Sequence, residues 1–223
     1  MFYLLKSAPQ IDPFQLLRPY AWVIPVLILL FVAKEVFRSA KFKGWLGEKL
    51  VHLAALKKLD PDKYKILNDL YLPRPDGNGT TQLDHVVVSV FGVFVIETKN
   101  YANWIFGSET QRQWTQKVFK KSYKFQNPLH QNDLHINALA LFLEADKSLF
   151  HNLVFFVGGS TFKTEMPVNV VNKGFRKCIE SHQSPILTEE QASFVYETLL
   201  KYDQSLDRKK VAKEHVRSLK ARK

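Results

Sequence analysis

Cysteine is almost missing from this chain. Cys178 is alone among 223 residues, which excludes an intrachain disulfide and fits a reducing compartment. No Cys or His cluster has the spacing of a zinc site. No glycine-rich loop has the form of a nucleotide phosphate cradle. Gly77-Asn78-Gly79 reads as a turn, and Gly158-Gly159 follows a strand without the lysine–serine pair of a P-loop. Repeats and low-complexity tracts are absent as well. Acidic residues are scarce, 21 Asp and Glu against 32 Lys and Arg, for a net charge of +11. Such a surface favours polyanions, either nucleic acid or the anionic face of a membrane, with solubility alone as the plainer explanation. The apolar share of 46% and the aromatic share of 13% exclude a disordered chain and leave ample material for a core.

One long apolar run stands out near the N-terminus. Ala21 to Ala33 carries no charge, and from Pro13 to Ala33 Arg18 is the only one. With Arg18 snorkelling, a span over about residues 14–36 is long enough for a hydrocarbon core of roughly 30 Å. Tyr20 and Trp22 sit where an interfacial belt would lie, and Pro25 is tolerable in a membrane helix. The heavier basic flank follows the run (Lys34, Arg38, Lys41, Lys43), which expects a single-pass anchor in the cell membrane with the main domain on the cytoplasmic side. A buried core helix and a cleaved signal peptide are the alternatives. The expected organisation is an anchor segment over 1–40, a domain over 41–205 and a basic tail over 206–223.

Within the domain, Gly44 to Asp60 has a helical pattern, and Tyr64 to Leu72 reads as a strand before the turn-rich Pro73 to Thr80. Two strands follow, Gln82 to Val90 and Val93 to Lys99, joined at Phe91-Gly92. A short strand is expected over Ala102 to Gly107, a helix from Asn127-Pro128 to about Ala145, a buried strand over Leu149 to Gly159, and a helix capped by Thr188 up to Tyr202. Asp207 to Lys223 permits helix and holds eight Lys or Arg against two acids.

The central hairpin concentrates charge. With a two-residue turn at Phe91-Gly92, Val90 faces Val93 and Asp84 faces Lys99. Alternation then places Asp84, Val86, Val88 and Val90 on one face with Val93, Val95, Glu97 and Lys99. Both faces are apolar near the turn, as in strands covered on both sides. Asp84 and Glu97 thus converge with Lys99 at the far end of an apolar face, where two ionised carboxylates need compensation. A divalent cation such as magnesium compensates them, and so does an Asp84–Lys99 salt bridge. Glu48 adds an acid on the apolar arc of the first helix, either pairing with His52 or projecting into the same site.

Between Arg112 and His130 basic and aromatic residues alternate. Arg112, Lys117, Lys120, Lys121 and Lys124 suit phosphates, while Trp114, Phe119, Tyr123 and Phe125 suit base stacking, or else the aromatics pack on the sheet and the lysines are merely solvated. His130 and His135 read as helix-surface residues.

The series Gly44, Gly47-Glu48, Thr81-Gln82-Leu83-Asp84-His85, Gly92 to Tyr101, Trp114, Asn127-Pro128 and Gln131 resembles the nuclease-related domain family known as NERD, along roughly Lys41 to Phe142. The resemblance departs at Ala102-Asn103, where a glycine is often found. It implies an α/β fold like that of the PD-(D/E)xK nucleases, a restriction-endonuclease-like mixed sheet flanked by helices and preceded here by the transmembrane helix. It further implies Asp84 and Glu97 as metal ligands with the Thr98 carbonyl, Lys99 orienting or activating the attacking water, and Glu48 and Gln131 completing the site. Magnesium or manganese would be the cofactor and nucleic acid, DNA ahead of RNA, the substrate. The alternative is an inactive nucleic-acid-binding or membrane-associated module that keeps the nuclease fold.

Overall fold

The computed structural model describes residues 22–38 and 56–221. Residues 1–43 and 44–223 form two compact units. In the first, helix α1 (Val23–Arg38) is 16 residues long, about 24 Å at 1.5 Å per residue. Its apolar side chains Ile24, Leu27, Ile28, Leu29, Leu30 and Phe31 are exposed. Among the described residues no helix is long and apolar enough to cross a membrane. The first part of the expected span, before Trp22, lies outside those residues, as do residues 44–55 with Glu48 and His52.

The second unit holds a mixed five-stranded sheet and a four-stranded sheet, flanked by helices. The first sheet has the order β1-β2-β3-β7-β9, from β1 (Lys65–Pro73), β2 (Thr80–Ser89), β3 (Gly92–Asn100), β7 (Phe150–Val157) and β9 (Val170–Val171). β1, β2 and β3 are antiparallel, and β7 and β9 run parallel to β3. The second has the order β6-β5-β4-β8, from β4 (Asn103–Phe106), β5 (Gln113–Val118), β6 (Lys121–Gln126) and β8 (Ser160–Phe162). The parallel pair β3–β7 leaves the first sheet and continues as the parallel pair β4–β8 in the second. Gly158 serves that corner. Its φ is 92°, and a Cβ there would stand 2.6 Å from Asn100 Oδ1, so glycine suits the turn between the two strand pairs.

Both faces of the first sheet are covered, as the unbroken apolar runs of β2 and β3 predict. On one face Leu67, Val86, Val88, Val93 and Val95 pack against α2 (Pro128–Phe142) and α4 (Glu189–Ser205) through Ile136, Leu139 and Leu199. On the other, Val87, Phe94, Ile96 and Leu153 meet Leu56, Leu59 and α3 (Phe175–Glu180) through Phe175 and Ile179. A third cluster, Ile105, Trp114, Leu129, Val154 and Phe156, joins the sheets. Thr188 caps α4 with a full capping box to Gln191. The basic C-terminal segment forms helix α5 (Arg208–Ala221). His215 docks it, with Nδ1 3.0 Å from the Thr80 carbonyl oxygen and its ring edge-on to Tyr71 at 5.5 Å.

The central turn differs from expectation by one residue. Ser89 pairs with Gly92 and Val88 with Val93, so Val90-Phe91 is the loop. The glycine opens the strand instead of making the turn, with a φ of 117°. A Cβ at Gly92 would stand 2.7 Å from His151 Nε2, which accounts for glycine there. Moving the turn by one residue moves each cross-strand partner by two, so every side chain keeps its face. Asp84 therefore comes level with Glu97, not with Lys99.

Candidate functional site

Asp84 sits at a break in the sheet. The β1–β2 ladder skips the Asp69–Asp84 position, where Asp69 has a left-handed φ of 59°, and the β2–β3 ladder ends at His85–Ile96. The Thr98 N–H donates to Asp84 Oδ2 at 2.9 Å. The carboxylate is thereby held at the end of the apolar stretch that alternation predicts.

Glu97 is the most enclosed charge of the site, its side chain only 4% exposed. Lys99 Nζ donates to its Oε1 at 2.6 Å, and Gln131 Nε2 donates to the same oxygen at 2.8 Å. Lys99 Nζ also donates to Gln131 Oε1 at 2.8 Å, closing a three-membered ring. Burial alone would push the Glu97 carboxyl up, but Lys99 and then His135 outweigh it and hold the pKa below the usual range. Burial likewise works against the Lys99 ammonium, yet Glu97 and, more weakly, Asp84 raise its pKa above the ordinary lysine value. Each group is kept charged by the other.

Helix α2 delivers Gln131 because its start is pinned. Asn127 caps it, accepting from the Leu129 N–H at 2.9 Å, while its own amide donates to the carbonyls of Ser108, Glu109 and Gln111. One residue beyond Gln131, Asn132 donates to the Val95 carbonyl at 2.7 Å and bolts the helix to β3. One turn on comes His135. It is buried, its Nδ1 lies 2.7 Å from Thr81 Oγ1, and its Nε2 is 3.3 Å from Glu97 Oε2 without the alignment of a hydrogen bond. The helix-surface reading of His135 is thus corrected. The i, i+4 spacing from Gln131 was the available signal, since both residues must share a face.

A cavity of about 400 Å³ opens over these groups. Asp84, Glu97, Thr98, Lys99, Gln131 and His135 line it, with Arg74, Gln126 and, from α5, His215 and Leu219. The basic tail of the sequence reading is a wall of this cleft. Arg74 is held in place by a bidentate pair with Asp76, the closest contact 2.8 Å. A larger groove of about 680 Å³ is lined by Arg74, Leu134 and Leu141 and reaches none of Asp84, Glu97 and Lys99.

The donor set has the oxygen chemistry that suits a hard cation. Among the described residues, however, no group of three or more His, Cys, Asp or Glu side chains is placed to hold a metal ion. Two carboxylates and the Thr98 carbonyl fit such an ion only in part, and Glu48 falls outside the described residues.

The basic and aromatic stretch divides in two. It forms the hairpin β5–β6. Trp114 is completely buried, stacked on Phe156 at 6.0 Å, with Nε1 donating to the Ser108 carbonyl. It packs the core and offers no face to a base, because strand alternation turns it inward with its partner Phe125. Arg112, Phe119, Lys120, Lys121, Tyr123 and Lys124 are exposed, and Lys117 is half-buried. Trp104, which the sequence reading passed over, lies 45% exposed on the opposite face of this sheet, beneath the ammonium groups of Lys117 and Lys163.

The model of the nuclease-related domain family matches residues 43–157. An uncharacterized protein of Bacillus anthracis is 39% identical over 204 residues, covering 88% of this chain and 92% of that protein. No solved structure matches the chain.

Proposed function

Because the chain belongs to the nuclease-related domain family, we propose that it is a metal-dependent nuclease that hydrolyses phosphodiester bonds of DNA or, less favourably, RNA. The observation that carries this reading is the meeting of Asp84, Glu97, Lys99 and Gln131 in one cleft on a strongly basic protein. Asp84, Glu97 and the Thr98 carbonyl would hold magnesium or manganese, with Glu48 completing the site. When bound, the cation supplies a more acidic water and offsets charge on the attacked phosphate. Lys99 sets a permanent ammonium beside that phosphate, where negative charge grows in the transition state. Gln131 fixes the position of the ammonium, and His135 closes the back of the site against Thr81. Arg112, Lys117, Lys120, Lys121 and Lys124 bind the phosphate backbone.

We further propose that the N-terminal segment attaches the enzyme to the cell membrane, with the nuclease unit in the cytoplasm. The exposed apolar surface of α1 and the basic residues after it support this. A second reading, a binding module without turnover, is favoured by one observation: Glu97 is already engaged by Lys99, Gln131 and His135.

The deciding experiment incubates the full-length chain with single- and double-stranded DNA in magnesium and in chelator, beside Glu97→Ala. Cleavage that needs magnesium and is lost in the variant supports the nuclease. Salt-sensitive binding without cleavage establishes the module instead.

A further inference from the structure

The tip of the β5–β6 hairpin is built in a way that serves no folding purpose. Pairing runs from Gln113–Gln126 to Val118–Lys121, which leaves Phe119-Lys120 as a two-residue loop. Phe119 has a φ of 53°. That is a left-handed conformation, unfavourable for a bulky side chain and normally given to Gly, Asn or Asp in such turns. Its ring is 89% exposed. A residue that is strained and solvated contributes nothing to the core, and glycine would suit the backbone better.

Its surroundings are cationic. Lys117, Lys120, Lys121 and Lys124 lie within five residues of Phe119 in the chain, and from residue 101 to 126 Glu109 is the sole acid in the sequence. Among the described residues β6 is moreover an edge strand. An apolar ring at the apex of a cationic arm matches a polyanion that has flat apolar faces, and the bases and phosphates of nucleic acid combine these two properties.

We propose that Phe119 stacks between bases of a bound nucleic-acid strand whose phosphates lie along the lysines of the hairpin, so that the site takes single-stranded or locally unpaired substrates. The link to the site is direct, since Gln126 at the base of β6 lines the cleft of Asp84 and Glu97. It is seven positions along the chain from Phe119, about 20 Å along a strand. The stacked base therefore lies a few nucleotides from the attacked phosphodiester. This second half rests on the nuclease reading, whereas the stacking itself does not.

The test measures binding of the full-length chain, in chelator, to a fluorescein-labelled oligothymidylate, to a duplex of the same length and to phosphatidylglycerol vesicles. Phe119→Ala is expected to weaken oligothymidylate binding about ten-fold and duplex binding less than about two-fold, with Phe119→Trp retaining both. Because the side chain is exposed, the thermal midpoint of Phe119→Ala should equal or exceed that of the parent. Three results overturn the proposal: unchanged oligothymidylate affinity, equal losses on strand and duplex, or a Phe119-dependent interaction confined to vesicles. Strand binding that depends on Phe119 without any magnesium-dependent cleavage would remove the nuclease reading and leave the stacking intact. Cleavage indifferent to Phe119, with binding equally indifferent, would do the reverse.

Discussion

The two sheets use charge in opposite ways. In the first, Glu97 and Lys99 are nearly enclosed and tied to each other and to Gln131. In the second, Lys120, Lys121 and Lys124 are exposed on the same hairpin as Phe119. Enclosed charges cost desolvation and must be matched by geometry, so they are few and positioned for chemistry. Exposed charges are cheap and screened, so they are many and suit reversible attachment to a polyanion. Under the proposed function, turnover belongs to the first sheet and holding to the second.

The strongest test of this division removes an enclosed charge. Glu97→Ala should reduce magnesium-dependent cleavage to background, and Asp84→Ala should do the same. Glu97→Ala also strands the Lys99 ammonium, so it should lower unfolding free energy by about 3 kcal/mol. Restoring neutrality with Glu97→Leu and Lys99→Met together should recover most of that loss without activity, as urea unfolding of the single and double variants will report. Full cleavage by Glu97→Ala would erase the distinction between the sheets.

Trp114 tests the boundary inside the second sheet. Trp114→Ala should cost about 3–5 kcal/mol in stability, far more than any change at the exposed Phe119, and thermal unfolding will rank the two. A stable Trp114→Ala variant with impaired binding would restore Trp114 to the interface.

Replacing Lys117, Lys120, Lys121 and Lys124 with serine should leave stability within about 0.5 kcal/mol. It should lower the slope of log affinity against log salt by about 0.7 per lost single-strand phosphate contact. An unchanged slope in a fluorescence anisotropy titration would place the nucleic acid elsewhere.

The smallest expected effect concerns pH. Burial lowers the pKa of His151, which lies beside Phe91 and His182. The unfolded chain therefore takes up its proton first, and stability should fall as pH drops through about 6.5. His151→Gln should flatten this limb in denaturation midpoints compared at neutral and mildly acidic pH.

Much of the site was legible because it is local. The alternation of Asp84 to Val90 and Val93 to Lys99 put Asp84, Glu97 and Lys99 on one face, and that survived a turn misplaced by one residue. The glycine that suggested the turn at Phe91-Gly92 is needed instead for the approach of His151, a contact across the sheet that no local pattern reveals. Asn127-Pro128 marked the start of α2 correctly, since capping chemistry is also local. His135 was misjudged because its burial comes from Thr81 and Glu97, distant in sequence. Trp114 and Phe119 looked alike in composition and proved opposite in place.

By itself the sequence determined the family, the strands that carry the charged residues, and the face on which those residues meet, because side-chain alternation and helix capping act over a few residues. Tertiary structure alone decided that His135 backs Glu97, that α5 walls the cleft, and that Trp114 is core while Phe119 is apex. Each of these depends on packing between segments far apart in the chain, where burial follows from what the fold brings alongside and not from the residue's neighbours.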